Sequence, residues 1–344
     1  MDDLSRLPAT DPDIIFRTRD ELYTADMLIA ALRGFDFFTW LDAHPGTVDD
    51  VARGLGFHRR PVDVMTTLFV AMDLVERDGE VLRPTARARE HLVTGSAWCA
   101  APYFPRLSDR PIAQDLIQVL RTGEPVSFAS RRDEADWHRA METERFADEF
   151  LAAMDVRGRI LAPELAEKVD LRERRRLLDI GGGSGLYACA FAARHPRLHA
   201  SVLEKPPVDA IAARAIERRG FARSVDTIAA DMLTDGLPPG CDVHLYSNVL
   251  HDWDEPIVKR LLHASADALP AGGQLVILDA FLNARKTGPL SSAAYSVLLM
   301  HVTQGRCYSV AEMEQWLAEA GFEAPSYVPL AMGRAAMVAS RRQR

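Results

Sequence analysis

The stretch Leu177–Gly185, LLDIGGGSG, constrains this chain more than any other. Apolar residues and one acid run into clustered glycines, and Leu186–Arg194 then reads as the start of a helix. The pattern predicts a buried parallel strand, a tight turn and a helix N-terminus. Gly181, Gly183 and Gly185 let the backbone turn sharply and lie against a ligand. The N–H groups that open the helix suit an anionic group. A dinucleotide fingerprint needs a glycine three residues after its second glycine. That position here is Leu186.

The form that remains, Gly181-x-Gly183-x-Gly185, is the one used for S-adenosylmethionine. The rest of the chain tests it. From Leu177 onward β and α patterns alternate, which predicts an α/β fold with a doubly wound, mostly parallel sheet. Strand candidates are Leu177–Ile180, Ala200–Leu203, Asp226–Ala229, Asp242–Tyr246, Leu275–Leu278, Ser326–Leu330 and Ala335–Ala339. Ligands in such sheets bind beyond the carboxyl ends of the strands. Glu204 ends the second strand, where an acid can accept both hydroxyls of a ribose. Asp231 and Met232 follow the third, a carboxylate for an adenine amino group and a thioether for its ring. The fourth runs into Ser247-Asn248-Val249-Leu250-His251-Asp252-Trp253, and the fifth ends at Asp279.

The 344 residues suffice for two domains, and a hydrophobic content of 48% marks a globular chain. A formal charge of −8 disfavours a nucleic-acid partner. Cys99, Cys189, Cys241 and Cys307 form no C-x-x-C pair and read as reduced thiols of a cytoplasmic protein. The acidic N-terminus is no signal peptide. No membrane span is expected.

Ahead of the sheet, Arg19–Leu41 reads as one apolar-rich helix whose Phe35, Phe37, Phe38 and Trp40 form an exposed face for partner packing. Thr47–Asp50 starts a short helix with a capping-box pattern. Pro61 heads a second helix, and Val75–Pro84 makes a hairpin turning at Asp78-Gly79. Together these resemble a winged helix. Two roles are open to it, DNA binding through Arg59 and Arg60 or dimerisation and substrate capping, and the small basic cluster favours the second. The expected division is 1–101, winged-helix-like dimerisation domain; 102–170, helical connecting and substrate-capping segment; and 171–344, cofactor-binding domain. The middle segment carries Phe128, Trp137, Phe150 and Met154. Arg157 and Arg131-Arg132 can bind an acidic substrate, although solvated surface arginines are the default reading.

DIGGGSG, VLEKPPV, ADML and NVLHDWDE, in this order and spacing, resemble the S-adenosylmethionine-dependent small-molecule O-methyltransferase family of plant caffeate-type and bacterial polyketide-tailoring enzymes. The resemblance implies a class I methyltransferase sheet of seven strands behind a helical winged-helix-like N-terminal domain, and a homodimer formed through that domain. It implies that Gly181, Gly183 and Gly185 shape the cofactor pocket, Glu204 holds the ribose, and Asp231 and Met232 hold the adenine. Ser247 falls near the cofactor, His251 on the catalytic base, and Asp279 on the acid that orients it. Trp137, Phe150, Met154, Tyr295 and Met300 are the candidates for the acceptor pocket.

The chain departs from the family where many members carry a glutamate that helps to frame the histidine. Gln304-Gly305-Arg306-Cys307-Tyr308-Ser309 has Cys307 there, and a neutral thiol cannot orient an imidazolium as a carboxylate does. Nearby His301 opens an alternative, a divalent metal on His251, Asp252 and His301. That set resembles metal-dependent C-methyltransferases of 2-oxo acids. A reading of another class is a winged-helix regulator that binds S-adenosylmethionine or a ligand without turnover. The preferred expectation is a cytoplasmic O-methyltransferase of a small-molecule acceptor, with no metal, nucleic acid or membrane partner.

Overall fold

This computed structural model describes residues 4, 6–104, 107–126 and 137–343. Phe128, Arg131, Arg132 and the Trp137 side chain lie outside what is described.

The N-terminal part is helical. Helices α1 (Asp13–Asp20), α2 (Thr24–Ile29), α3 (Phe37–Ala43), α4 (Val48–Leu55) and α5 (Arg59–Ala71) lead into a hairpin of β1 (Val75–Asp78) and β2 (Val81–Pro84). Then come α6 (Ala86–Leu92) and α7 (Pro111–Thr122). Their boundaries have local causes. Thr47 and Asp50 close a capping box at the head of α4: the Asp50 N–H donates to Thr47 Oγ1 at 3.2 Å and the Thr47 N–H to Asp50 Oδ2 at 3.0 Å. α7 opens on Pro111 and stops at Gly123, which takes a left-handed conformation.

The single helix expected over Arg19–Leu41 is broken. A π-helical turn over Ala30–Gly34 follows α2, and α3 starts afresh after Asp36, whose φ is 47° and whose carboxylate accepts from Thr39 Oγ1. A Cβ on Gly34 would lie 2.5 Å from Ile117 Cδ1, so the bare glycine lets α7 pack close. The break also turns Phe37 and Phe38 inward onto Phe69, where both are fully buried. The exposed aromatic face expected there therefore does not exist. Leu7, Ile14, Ile15, Leu22, Trp98 and Tyr103 are the large apolar side chains left exposed in this region among the described residues. Arg59 pairs with Asp49, and the Arg60 guanidinium donates to the carbonyls of Gly123, Thr303 and Gly305.

Short α8 (Trp137–Ala140) and long α9 (Glu144–Lys168) precede the sheet. The sheet region runs β3 (Arg176–Ile180), α10 (Leu186–Arg194), β4 (His199–Glu204), α11 (Val208–Arg219), β5 (Val225–Ala229), β6 (Val243–Ser247), α12 (Glu255–Ala268) and β7 (Gln274–Asp279). α13 (Leu290–Val302), α14 (Val310–Ala320), β8 (Ser326–Pro329) and β9 (Ala335–Ser340) complete the chain. The sheet order is β5-β4-β3-β6-β7-β9-β8, parallel from β5 to β7, with β9 antiparallel to both neighbours. Each of the seven strands lies within a residue of its expected ends. The strand order reverses at β3, between β4 and β6, which is where a doubly wound sheet opens a crevice.

Contacts divide the chain into two compact units. One comprises Ile15–Trp137 and Leu282–Val310, the other Met1–Ile14, His138–Phe281 and Ala311–Arg344. These seams differ from the divisions expected after residues 101 and 170. In the first unit α13 packs on α2, α5 and α7, so a late stretch of chain belongs with the early helices. In the second, α9 packs along α10, and a Cβ on Gly158 would come within 2.6 Å of Leu186 Cδ2.

His244 in β6 is fully buried, and neither ring nitrogen has a hydrogen-bond partner. Burial pulls its pKa down to about 4. The unfolded chain takes up this proton near pH 6.5, so stability is complete above that pH and falls as pH drops toward 4, by roughly 3 kcal/mol in all. Urea unfolding at several pH values should therefore show His244→Leu gaining on the wild type as the medium is acidified from pH 8 to pH 5.

Candidate active site

At the end of β3 the chain turns through Gly181, Gly183 and Gly185 at φ of 65°, 57° and 72°, which glycine alone adopts without strain. The loop is also close-packed. A Cβ on Gly181 would press on Val249 at 3.2 Å with the Met232 sulfur at 3.9 Å, and one on Gly183 would meet Leu151 at 2.9 Å. The Gly183 N–H donates to Glu204 Oε1 at 2.9 Å. Gly181, Gly183, Glu204 and Met232 are thus brought together as expected. Asp231 opens the turn after β5 and accepts from the Leu233 N–H at 2.8 Å. Ser247, buried, ends β6 beside Leu278 of β7. A brace holds the loop from α9 and α11: Ser184 Oγ donates to Asp155 Oδ1 at 2.5 Å, and Arg219 donates to the Ser184 carbonyl at 2.7 Å and to the Asp155 carboxylate.

Two carboxyls here are disfavoured as anions. Burial pushes Glu204 up to about 7, against the lowering effect of the Gly183 and Lys205 N–H groups. Asp179, in β3, is fully buried with no side-chain partner for either oxygen, and burial pushes it up to about 7 as well, against the lowering effect of the Ala188 N–H. It lies directly beneath the loop, since a Cβ on Gly182 would fall 2.5 Å from its Cγ. A buried acid under a glycine cradle, with a second acid at the next strand end, fits a cationic nucleoside such as S-adenosylmethionine. Sequence reasoning assigned Asp179 no role. Its signal was present, an acid inside the otherwise apolar run LLDI.

Beyond β6 the chain passes Asn248, at φ 56°, into a short turn over Leu250–Asp252. That turn sets His251 against the end of β7. His251 Nδ1 and Asp279 Oδ1 are 2.5 Å apart, and both residues are buried. Asp279 Oδ1 also accepts from the Ala280 N–H at 2.7 Å, which fixes the carboxylate. Facing an ionised carboxylate, Nδ1 carries the proton and Nε2 the lone pair. Asp252 Oδ1 lies 3.7 Å from Nε2, beyond hydrogen-bonding distance. Burial raises the Asp252 carboxyl to about 6, which the nearby His251 and Arg157 oppose.

Arg157 is not the solvated arginine of the default reading. It is buried on α9, with Nη2 3.8 Å from the sulfur of Met154. Phe150, half-buried, stacks on Phe146 along the same helix. Tyr295 and Met300 are buried on α13 in the other unit. So is His301, whose Nε2 lies 3.3 Å from Asp115 Oδ2 and whose ring meets Tyr23 edge-on. Among the described residues no three His, Cys, Asp or Glu side chains are grouped to hold a metal ion; of the expected triad, His251 and Asp252 lie in one unit and His301 in the other. Cys307 is fully buried, and its N–H donates to Ser296 Oγ at 3.1 Å.

Comparison with known proteins agrees with this geometry. Residues 114–323 match the family described as the O-methyltransferase domain. The 3-hydroxy-5-methyl-1-naphthoate 3-O-methyltransferase of Streptomyces sahachiroi is 32% identical over 90% of this chain and 89% of its own length. The N,N-dimethyltransferase OxyT of Streptomyces rimosus is 30% identical over 83% of each chain. An O-methyltransferase family 2 protein of Planctomyces limnophilus, solved with apigenin, superposes with a TM-score of 0.88 at 29% identity over 98% of each chain. The chain belongs to the O-methyltransferase domain family. It is an S-adenosylmethionine-dependent methyltransferase of small molecules, and no helix among its described residues is long and apolar enough to cross a membrane.

Asp179 gives the site a signature without cofactor. Its pKa rises from an ordinary 3.8 to about 7 on folding, so the stability of the apo protein falls as pH climbs through that window. Asp179→Asn should unfold at higher urea than the wild type at pH 8, and the advantage should shrink at pH 5.

Proposed function

We propose that this enzyme methylates a hydroxyl group of a small aromatic acceptor, with His251 as the general base and Asp279 as the residue that orients it. The observation that carries the reading is the buried His251–Asp279 hydrogen bond of 2.5 Å at adjoining strand ends. An amine acceptor already carries a lone pair and needs no such base. A phenol with a pKa of about 10 is protonated at neutral pH and does need one. Bound S-adenosylmethionine supplies an electrophilic methyl group on a sulfonium. Gly181, Gly183 and Gly185 would cradle it, Glu204 would take its ribose hydroxyls, Asp231 and Met232 its adenine, and Ser247 would lie alongside.

His251 draws the proton from the acceptor hydroxyl at Nε2 as the oxygen becomes a nucleophile. Asp279 stabilises the imidazolium through Nδ1 and holds the ring in one orientation. Burial excludes water and strengthens that interaction. Phe146, Phe150 and Met154, on one helix beside the glycine loop, supply apolar surface that suits an aromatic ring. The four cysteines are free thiols, consistent with the reducing cytoplasm. A homodimer is supported by Ile15, Leu22, Trp98 and Tyr103, which leave apolar surface exposed on the N-terminal unit.

Turnover with a hydroxyarene tests the base. His251→Ala should lower kcat by about 10²–10⁴-fold while calorimetry shows S-adenosylhomocysteine binding unchanged. Full turnover in that variant would sink the assignment. Light scattering tests the assembly: the wild type should have the mass of two chains, and Leu22→Glu combined with Trp98→Glu that of one.

A further inference from the structure

We infer that Asp155 and Arg219 are positioning residues: by gripping Ser184 they fix the cofactor loop to helix α9, so that filling the cofactor site orders the helix face that meets the acceptor. The grip itself needs only the cofactor, and the acceptor face of α9 rests on the O-methylation reading.

One face of α9 is fastened to the cofactor loop and its flanking helices. Ala147, Leu151, Asp155 and Gly158 recur at spacings of four, four and three, which stacks them along one side of the helix. Ala147 and Leu151 pack with Val208 and Ile211 of α11. Leu151 also closes on the loop, since a Cβ on Gly183 would meet its Cδ2 at 2.9 Å. Gly158 leaves room for Leu186, the first residue of α10. Asp155 supplies a polar tie between these apolar contacts.

Three side chains make that tie. Ser184 Oγ donates to Asp155 Oδ1 at 2.5 Å and accepts from Arg219 Nη2 at 3.2 Å. Arg219 also donates to the Ser184 carbonyl at 2.7 Å and to Asp155 Oδ2. Arg219 and Ser184 are buried, and the Asp155 side chain is 18% exposed. A buried ion pair contributes little net stability over an apolar isostere, because desolvation offsets its attraction. What it supplies here is direction, since charge-assisted hydrogen bonds from a planar guanidinium fix the geometry of their acceptors. Ser184 directly follows Gly183, whose N–H donates to Glu204 Oε1 at 2.9 Å, so a fixed Ser184 keeps that hydrogen bond in line. The Arg214–Glu144 pair, at 2.7 Å, also joins α9 to α11, but it is exposed, where an ion pair contributes little.

Phe146, Phe150 and Met154 form the neighbouring stripe of α9, at spacings of four, and all three are half-buried. Any shift of α9 against the loop therefore carries this stripe with it. A ligand that selects one arrangement of the loop selects the matching placement of α9.

The test uses the full chain and S-adenosylhomocysteine, with no acceptor present. In the wild type, hydrogen exchange should show the ligand slowing the amides of residues 144–158 as well as those of 177–187. Ser184→Ala removes the hydroxyl and leaves the Asp155–Arg219 pair. By calorimetry it should raise Kd about tenfold, the effect of a loop that is binding-competent for roughly a tenth of the time. At saturating ligand it should keep the slowing over 177–187 and lose it over 144–158. Asp155→Asn, which changes little in volume, should act in the same direction and keeps the test decisive if Ser184→Ala does not fold. Ser184→Thr, which restores the hydroxyl, should recover both the affinity and the slowing over 144–158. No slowing over 144–158 in the wild type overturns the inference. Slowing there that survives in Ser184→Ala and Asp155→Asn also overturns it, whatever the affinity, because packing through Leu151 then carries the link. Either result leaves O-methylation standing, since no acceptor enters the experiment.

Discussion

The register of β3 between β4 and β6 is the constraint on which everything else depends. Ile180 lies opposite Leu203, and Asp179 opposite Leu245, so three parallel strands finish at one edge. That alignment lets the Gly183 N–H reach Glu204 and sets Met232 against Gly181. It also brings the turn after β6 beside the end of β7, where His251 finds Asp279. Because side chains alternate along a strand, slipping β6 by one residue would send Ser247 to the opposite face and misplace the whole turn that follows.

The polar groups at this edge are held at a cost in stability. Asp179, Glu204 and Asp252 are all pushed toward their neutral forms by burial, and His244 deeper in β6 has no partner at all. Apolar packing offsets this. β3 and β6 are buried along nearly their whole length, and α9 and α10 close on each other across Gly158. The brace of Ser184, Asp155 and Arg219 then stiffens a loop that three left-handed glycines would otherwise leave free. Strain of this kind is expected where a site must stand ready for a ligand.

The seven strands were legible because β-branched and leucine runs bounded by glycine and proline leave little choice at the length of a strand. The glycine loop and the strand-end acids were legible for the same reason, since local spacing alone sets them on one edge. What was not legible depends on contacts distant in sequence. The left-handed Asp36 that buries Phe37 and Phe38 makes sense only once Ile117 has packed on Gly34. The burial of Arg157 is of the same kind, since nothing in the residues around it distinguishes it from exposed Arg159. The grouping of Leu282–Val310 with the early helices is likewise a matter of packing, through α13.

His251 and His301 show why a histidine beside an aspartate does not by itself make a catalytic site. Both are buried, and each lies within reach of one carboxylate. His301 belongs to a regular helix, its Nδ1 has no partner, and burial pulls its pKa down against the pull of Asp115. His251 instead sits on a short turn at the carboxyl end of the sheet, with a carboxylate on Nδ1 and the lone pair of Nε2 turned toward the second carboxyl, Asp252. Within its own unit His251 has Asp279 as the carboxylate on Nδ1. That hydrogen bond is secured in turn by the Ala280 N–H, which donates to the same carboxylate oxygen.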